Sequence, residues 1–287
     1  MSVANFIPEI MAKKILLGLQ AKMVGANFIN RNYDGEINSV GDTVNIVSPG
    51  SITVSDHDKD VDIVWQNLTS SQKKLMIDIE EYFSFVVPDI DAFQAKPDLQ
   101  KIYTEVAIEA LSQAADKKIF GKYVDAHTDN VVATIVLTKD NIYDHFVDMR
   151  TLFVKKNVPT LNLSAAVGAD EYAILLKSDE FIRATQSGDS VVRTGLVGQI
   201  AGFDVYETNN LAEDVEADLS SGDAVNRYLM FTNKAYGITM AEQINKVEVT
   251  PIEKRFAKGV KGLHTYGLKT VRTEALGVIR SQLKKIA

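Results

Sequence analysis

The sequence predicts an α+β fold, and three observations carry that prediction. Residues 98–123 hold one long apolar pattern of helical period. Strand-like alternation occurs near both chain ends, at 43–47 and again beyond 247. Between them, 131–244 reads as a mixture of short helices and strands. Strands from distant parts of the chain must then share one domain, with the mixed stretch as an insertion. A chain of 287 residues is long enough to bury one large core or two modest ones.

From the N-terminus, Pro8 suits the first turn of a helix, and Ile10, Met11, Lys14, Ile15, Leu19, Lys22 and Met23 follow at 3–4 spacing. This predicts a helix over about 8–24. Asn30–Gly41 is polar and turn-rich, and Asp42–Val47 alternates as a strand that ends at Pro49-Gly50. The run Asp56, Asp58, Asp60 and Asp62 begins like a calcium loop. Such a loop wants Gly at its sixth position and Glu at its twelfth, and Val61 and Asn67 stand there. On a strand the four aspartates share one face. The bare reading is a solvated face, with an inter-subunit contact or a cation role as the functional alternatives.

Lys73–Pro88 alternates and then turns wholly apolar, as a long strand entering a core would. Paired with 43–47 it predicts an extended two-stranded arm with a long tip. A lone hairpin is marginal in water, so this arm calls for neighbours and for assembly. Asp98–Tyr123 follows as the long helix, with Leu99, Ile102, Tyr103, Val106, Ala110, Leu111 and Ala114 as its apolar stripe. Asp98 at its start and Lys117, Lys118 and Lys122 at its end match the helix dipole.

Lys139–Lys156 predicts a further helix through Ile142, Phe146, Met149 and Phe153. Ala165–Val167 reads as a strand, Asp170–Leu176 as a helix, Ser178–Ala184 as a short helix or turn, and Ser187–Thr194 as a loop. In Gly195–Leu211 (GLVGQIAGFDVYETNNL) Gly195, Gly198 and Gly202 precede a short strand, Phe203–Tyr206, and a turn follows. Period 2 puts Phe203 and Val205 on the opposite face from Asp204 and Tyr206, with Phe203 in the core. Glu213–Asp223 holds five acids and predicts an exposed loop. Tyr228–Thr232, Val247–Thr250 and Gly259–Val278 read as the last strands.

Composition narrows the function. There is no cysteine, which excludes disulfides, thiolate metal sites and cysteine nucleophiles. No run approaches the roughly 18 apolar residues of a membrane helix. The N-terminus has no basic start followed by an apolar block, so no signal peptide is expected. The net charge is −7, yet ten basic residues against three acids leave 245–287 at +7 and the remainder at −14. The basic residues alternate with Val, Leu, Tyr and Ile, so a strand face explains them better than a nucleic-acid site.

Enzyme motifs are missing. His57, His127, His145 and His264 have no partner at metal-ligand spacing. Gly188-Asp189-Ser190-Val191-Val192 lacks the last glycine of a nucleophile elbow. Gly195, Gly198 and Gly202 do not match a dinucleotide fingerprint, because a strand follows them. The sequence therefore carries no catalytic, metal or cofactor expectation.

Four segments resemble the major capsid proteins of tailed bacteriophages. They are Asn5–Ile10 with Asn30–Glu36 and Gly41–Val44, then Phe85–Asp91 (FVVPDID), Gly195–Leu211, and Gly262–Thr270 (GLHTYGLKT). Their order is most similar to the Salmonella podophage coat-protein branch, although this chain is too short for the inserted domain of that branch. The resemblance implies the Hong Kong 97-type capsid fold: an N-terminal arm at 1–37, an extended loop at 38–88, and a peripheral domain from 89–130 and 245–287. The spine helix of that domain is 98–123, and 131–244 forms the axial domain. It further implies self-assembly into pentamers and hexamers of an icosahedral shell around double-stranded DNA, without sequence-specific binding. A separate scaffolding protein and a portal protein are the implied partners, with no membrane and no cofactor. The chain would reside in the virion after synthesis in the host bacterial cytoplasm. An encapsulin-type bacterial shell is the alternative, and a soluble binding protein or hydrolase, expected as a compact monomer, is the third.

Overall fold

The computed structural model describes residues 23–33, 43–48, 54, 66, 71–88, 99–178, 196–215, 224–252 and 256–284. Three sheets and three α-helices organise them. The first sheet has four strands in the order β1 (Ile29–Asn30), β11 (Ile238–Pro251), β12 (Ala257–Thr270) and β4 (Ile79–Pro88). β11 and β12 form a long antiparallel hairpin, with Ile238 opposite Thr270 and Pro251 opposite Lys258. β4 runs antiparallel to β12, from Tyr266 opposite Ile79 to Ala257 opposite Pro88.

The second sheet runs β5 (Val131–Ile135), β13 (Leu276–Lys284), β10 (Ala224–Asn233), β6 (Leu163–Val167), β8 (Phe203–Glu207) and β7 (Leu196–Ile200). β9 (Glu213–Val215) pairs beside β10 as its seventh strand. Every residue of β6 is buried, as suits a central strand with covered faces. The third sheet is the two-stranded pair β2 (Thr43–Ser48) and β3 (Ser71–Met76), antiparallel with Thr43 opposite Met76.

The helices are α1 (Leu99–Phe120), α2 (Ile142–Lys155) and α3 (Ala169–Leu176). α2 lays Ile142, Phe146, Met149 and Phe153 into the core, the predicted face. α1 behaves differently from expectation. It buries Ile108, Leu111, Ala115, Ile119 and Phe120, while Tyr103 and Val106 stay 44% and 59% exposed. The predicted stripe followed the first half of the helix. From Ile108 onward the helix lies over the main core, with Met23 and Phe28 in the same cluster. The helix also stops at Phe120, where a 3₁₀ segment (Gly121–Asp125) takes over.

Other boundaries moved for reasons of pairing. The single long strand expected over 73–88 is two strands, because β3 pairs with β2 and β4 with β12. The arm is thereby rooted in the four-stranded sheet. The strand expected over 259–278 is broken by a 3₁₀ turn at Thr273–Ala275. The acidic loop begins as a strand, since β9 pairs with β10. Residues 276–284, grouped by sequence with the peripheral segment, are hydrogen-bonded into the seven-stranded sheet between β5 and β10. The helix expected at 8–24 lies outside the described residues except for Met23 and Val24, which are not helical. The segment 178–184 lies outside them beyond Ser178, and the loop 187–194 lies wholly outside.

Candidate assembly site

The glycine segment folds as a hairpin, not as a turn before one strand. β7 and β8 are antiparallel, and Ile200 faces Phe203 across the two-residue turn Ala201-Gly202. Both turn residues have positive φ, 49° and 84°, as a type I′ hairpin requires. Gly202 meets that demand without strain. At Ala201 the turn is held by Arg150, whose Nη1 donates to the Ala201 carbonyl at 3.2 Å. Gly198 (φ 140°) sits at an irregularity in β7. Gly195 lies outside the described residues. Phe203 and Val205 are fully buried, whereas Asp204 and Tyr206 are half-buried on the other face. The Phe203 ring meets Phe231, Phe153 and Phe146 edge-on, at centroid distances of 5.2, 5.9 and 6.3 Å.

Two buried polar joints tie distant segments together. Asp116, 2% exposed on α1, accepts the backbone N–H of Gly25 at 2.9 Å and of Val24 at 3.2 Å. Asn210 Nδ2 donates to the same carboxylate at 3.5 Å. The chain at Val24-Gly25 is thus fastened to the C-terminal end of the long helix. Burial pushes the Asp116 pKa up from 3.8 to about 6, although these three donors pull the other way. The folded state therefore holds this proton more tightly than the unfolded state. The stability it contributes is complete below about pH 4 and is lost as pH rises through about 6. The difference is worth on the order of 3 kcal/mol. Asp116→Asn should remove it, so the variant should gain melting temperature relative to the parent between pH 4 and pH 7. A constant offset between the two melting curves over that range would refute this account.

The second joint lies at the root of the arm. Arg31 pairs with Glu242, whose Oε2 is 3.3 Å from His264 Nε2. Burial lowers the His264 pKa to about 4, so the imidazole is neutral at pH 7 and the contact is a hydrogen bond. Beside it the arm docks: Val44, Ile46, Leu75 and Ile77 cluster with Ala241 of β11. Lys73 Nζ donates to the Val271 carbonyl at the same place. A cleft of about 690 Å³ opens along this root, between Tyr33, Ile46, Lys234 and Tyr236.

A third cluster braces the seven-stranded sheet. Arg227 donates to Glu171 at 2.8 Å, Glu213 at 2.8 Å and Asp170 at 3.1 Å. Burial opposes its charge, but Glu171 and Glu213 outweigh that and raise its pKa. The aspartates 56, 58, 60 and 62, the candidate inter-subunit contacts, lie outside the described residues. Sequence reasoning missed Asp116, Arg227 and Glu242. For Asp116 a signal existed: an acid between Leu111, Ala115 and Ile119 on one helical face. Among the described residues, no group of three or more His, Asp or Glu is arranged to hold a metal ion. No described helix is long and apolar enough to cross a membrane.

No protein-family model matches this sequence, and no curated protein does. Solved structures do. A chain of Mycobacterium phage Che8 is 26% identical, with a TM-score of 0.66 over 90% of this chain and 91% of that one. The capsid structure of the cyanophage P-SCSP1u matches at 14% identity and TM-score 0.68, over 89% of this chain and 86% of that one. The capsid of Ralstonia phage GP4 matches at 13% identity and TM-score 0.65, over 90% and 87%. With coverage of about nine-tenths on both sides and TM-scores of 0.65 to 0.68, the chain has the Hong Kong 97-type fold of phage capsid subunits.

Proposed function

We propose that this chain is the major capsid protein of a tailed bacteriophage, self-assembling into an icosahedral shell around double-stranded DNA. The observation that carries this reading is the match to phage capsid structures over about nine-tenths of the chain. The arm supports it independently. Among the described residues β2 and β3 pair only with each other, and their buried side chains pack against Ala241 at the root.

On this reading 1–37 is the N-terminal arm, 38–88 the extended loop, 89–130 with 245–270 the peripheral domain, and 131–244 the axial domain, whose sheet β13 also joins. The role is structural, not catalytic. The chain pairs with itself in pentamers and hexamers and resides in the virion after synthesis in the host cytoplasm. A scaffolding protein and a portal protein complete the set of partners. A net charge of −7 suits a lining that does not grip packaged DNA, since phosphate contacts need cations. Kinship with the Salmonella podophage branch rests on the sequence segments alone. The encapsulin-type alternative is no better supported.

Size-exclusion chromatography and negative-stain microscopy of the purified chain test the reading. Closed shells are expected, and a compact monomer under all conditions would sink it. Replacing residues 50–69 with a short Gly-Ser turn leaves the β2–β3 pairing in place. That variant should be soluble but should no longer close shells. Normal shells would remove the proposed role of the arm.

A further inference from the structure

Tyr103, Val106, Ala110, Gln113 and Asp116 follow one another on α1 at intervals of three or four residues, so they form one row along the helix. The first four are exposed. Asp116 is buried and takes the backbone N–H groups of Val24 and Gly25, next to Met23, where the described residues begin. The direction of the chain there is also set. The Phe28 ring meets Phe120 at 5.4 Å, whereas Gly25 and Val24 sit on Asp116, one turn earlier on α1. Followed towards the N-terminus, residues 28–24 therefore travel along α1 from Phe120 in the direction of Leu99. They travel close to it, since a Cβ on Gly25 would stand 2.7 Å from both Asp116 Oδ1 and the Ile119 side chain.

We propose that residues 8–22, the apolar-periodic segment ahead of Met23, lie as a helix along this exposed row on the α1 of their own chain. The inference goes beyond the assembly reading and does not depend on it. Length fits: a helix over 8–22 spans about 22 Å, and α1 runs about 21 Å from Leu99 to Gln113. Register fits as well. Val24 meets Asp116 at an offset of 92 residues. Carried back along two helices of equal rise, that offset sets Met11 beside Tyr103, Ile15 between Val106 and Ala110, and Gly18 against Ala110. Two small residues face to face let the helices approach closely. Charge is complementary. Residues 8–22 carry Lys13, Lys14 and Lys22 against Glu9, whereas α1 from Leu99 to Ala110 carries Glu105 and Glu109 against Lys101. A helix this short is marginal by itself in water, and Gly18 weakens it further, so it needs a face to lie on.

The absence of cysteine gives a direct test. Ile15→Cys is combined with Val106→Cys in one variant and with Ala110→Cys in another. Oxidation of the purified chains should close at least one of these pairs within a single subunit. A non-reducing gel should then show bands of subunit size, and trypsin should leave the two peptides joined until a thiol is added. Linked subunits on the gel would put the segment on another copy, and no bridge in either variant would leave the α1 face bare. Either result overturns the proposal. Val106→Glu is the second arm. Val106 is exposed, so the variant should melt like the parent. Trypsin should nevertheless cut after Lys13 and Lys14 about tenfold faster than in the parent, because cleavage tracks the released population. Parent-like cleavage of Val106→Glu also overturns the proposal.

Discussion

Phe203→Ala should yield aggregated or unfolded subunits in place of assembled shells. Phe203 is fully buried and is the meeting point of three other rings, from α2 and β10. Truncating such a residue removes its transfer energy and leaves a cavity, a loss of about 3–5 kcal/mol. A domain of ordinary stability holds only about 5–15 kcal/mol. The melting temperature should fall by on the order of 10 °C if the variant folds at all. Asp204→Ala, on the outward side of the same strand, should stay within about 0.5 kcal/mol of the parent. Thermal melts of both variants beside the parent decide the matter. Parent-like melting of Phe203→Ala would mean that the β7–β8 hairpin is dispensable to the core.

The second large effect is expected at Gly267. It lies on β12 opposite Ala241, where the chain crosses from β3 into β4. A Cβ on Gly267 would come within 2.2 Å of the Met76 carbonyl oxygen and 2.9 Å of its carbon. These are backbone atoms, so no rotamer change relieves the clash. Gly267→Val should push the arm off its root, exposing Leu75 and Ile77, both buried there now. Overpacking of this kind costs about 1–3 kcal/mol, and the direction of the arm is lost with it. The expected result is a folded chain of lower melting temperature that does not close shells. Gly259→Ala on the same strand is the control, since its added Cβ meets nothing nearer than 3.6 Å. If Gly267→Val assembles normally while melting like Gly259→Ala, the arm is not held in the way described.

Much of this architecture is legible locally. The α2 face follows from apolar residues at 3–4 spacing, and the same spacing marks α1 as a long helix. A turn before Phe203 is visible from Gly202, which accepts its positive φ, but the strand β7 ahead of that turn is not read from the sequence. Alternation marks β2 and β8 and places Phe203 inward. The capsid resemblance reaches further than these patterns, because it compares the order of segments along the whole chain.

Other features depend on what lies across the gap. Spacing marks α1 as apolar on one side, but Met23, Phe28 and the sheet determine that Ile108 and Ile119 are covered while Val106 is not. The strand pattern of Lys73–Pro88 marks no boundary between β3 and β4, because an extended chain reads the same whether its partner is β2 or β12. The last strand read from the sequence stops at Val278, whereas β13 runs to Lys284, because its place between β5 and β10 is a matter of non-local hydrogen bonding. Asp116 is an ordinary surface acid by composition. It becomes a buried joint only when two distant segments, Val24-Gly25 and Asn210, close over it. The sequence by itself determined the kinds of element and the turns, because those follow from dihedral and periodic preferences within a few residues. Burial, strand partnership and altered titration were decided by the tertiary structure, because each is an interaction with groups far away along the chain.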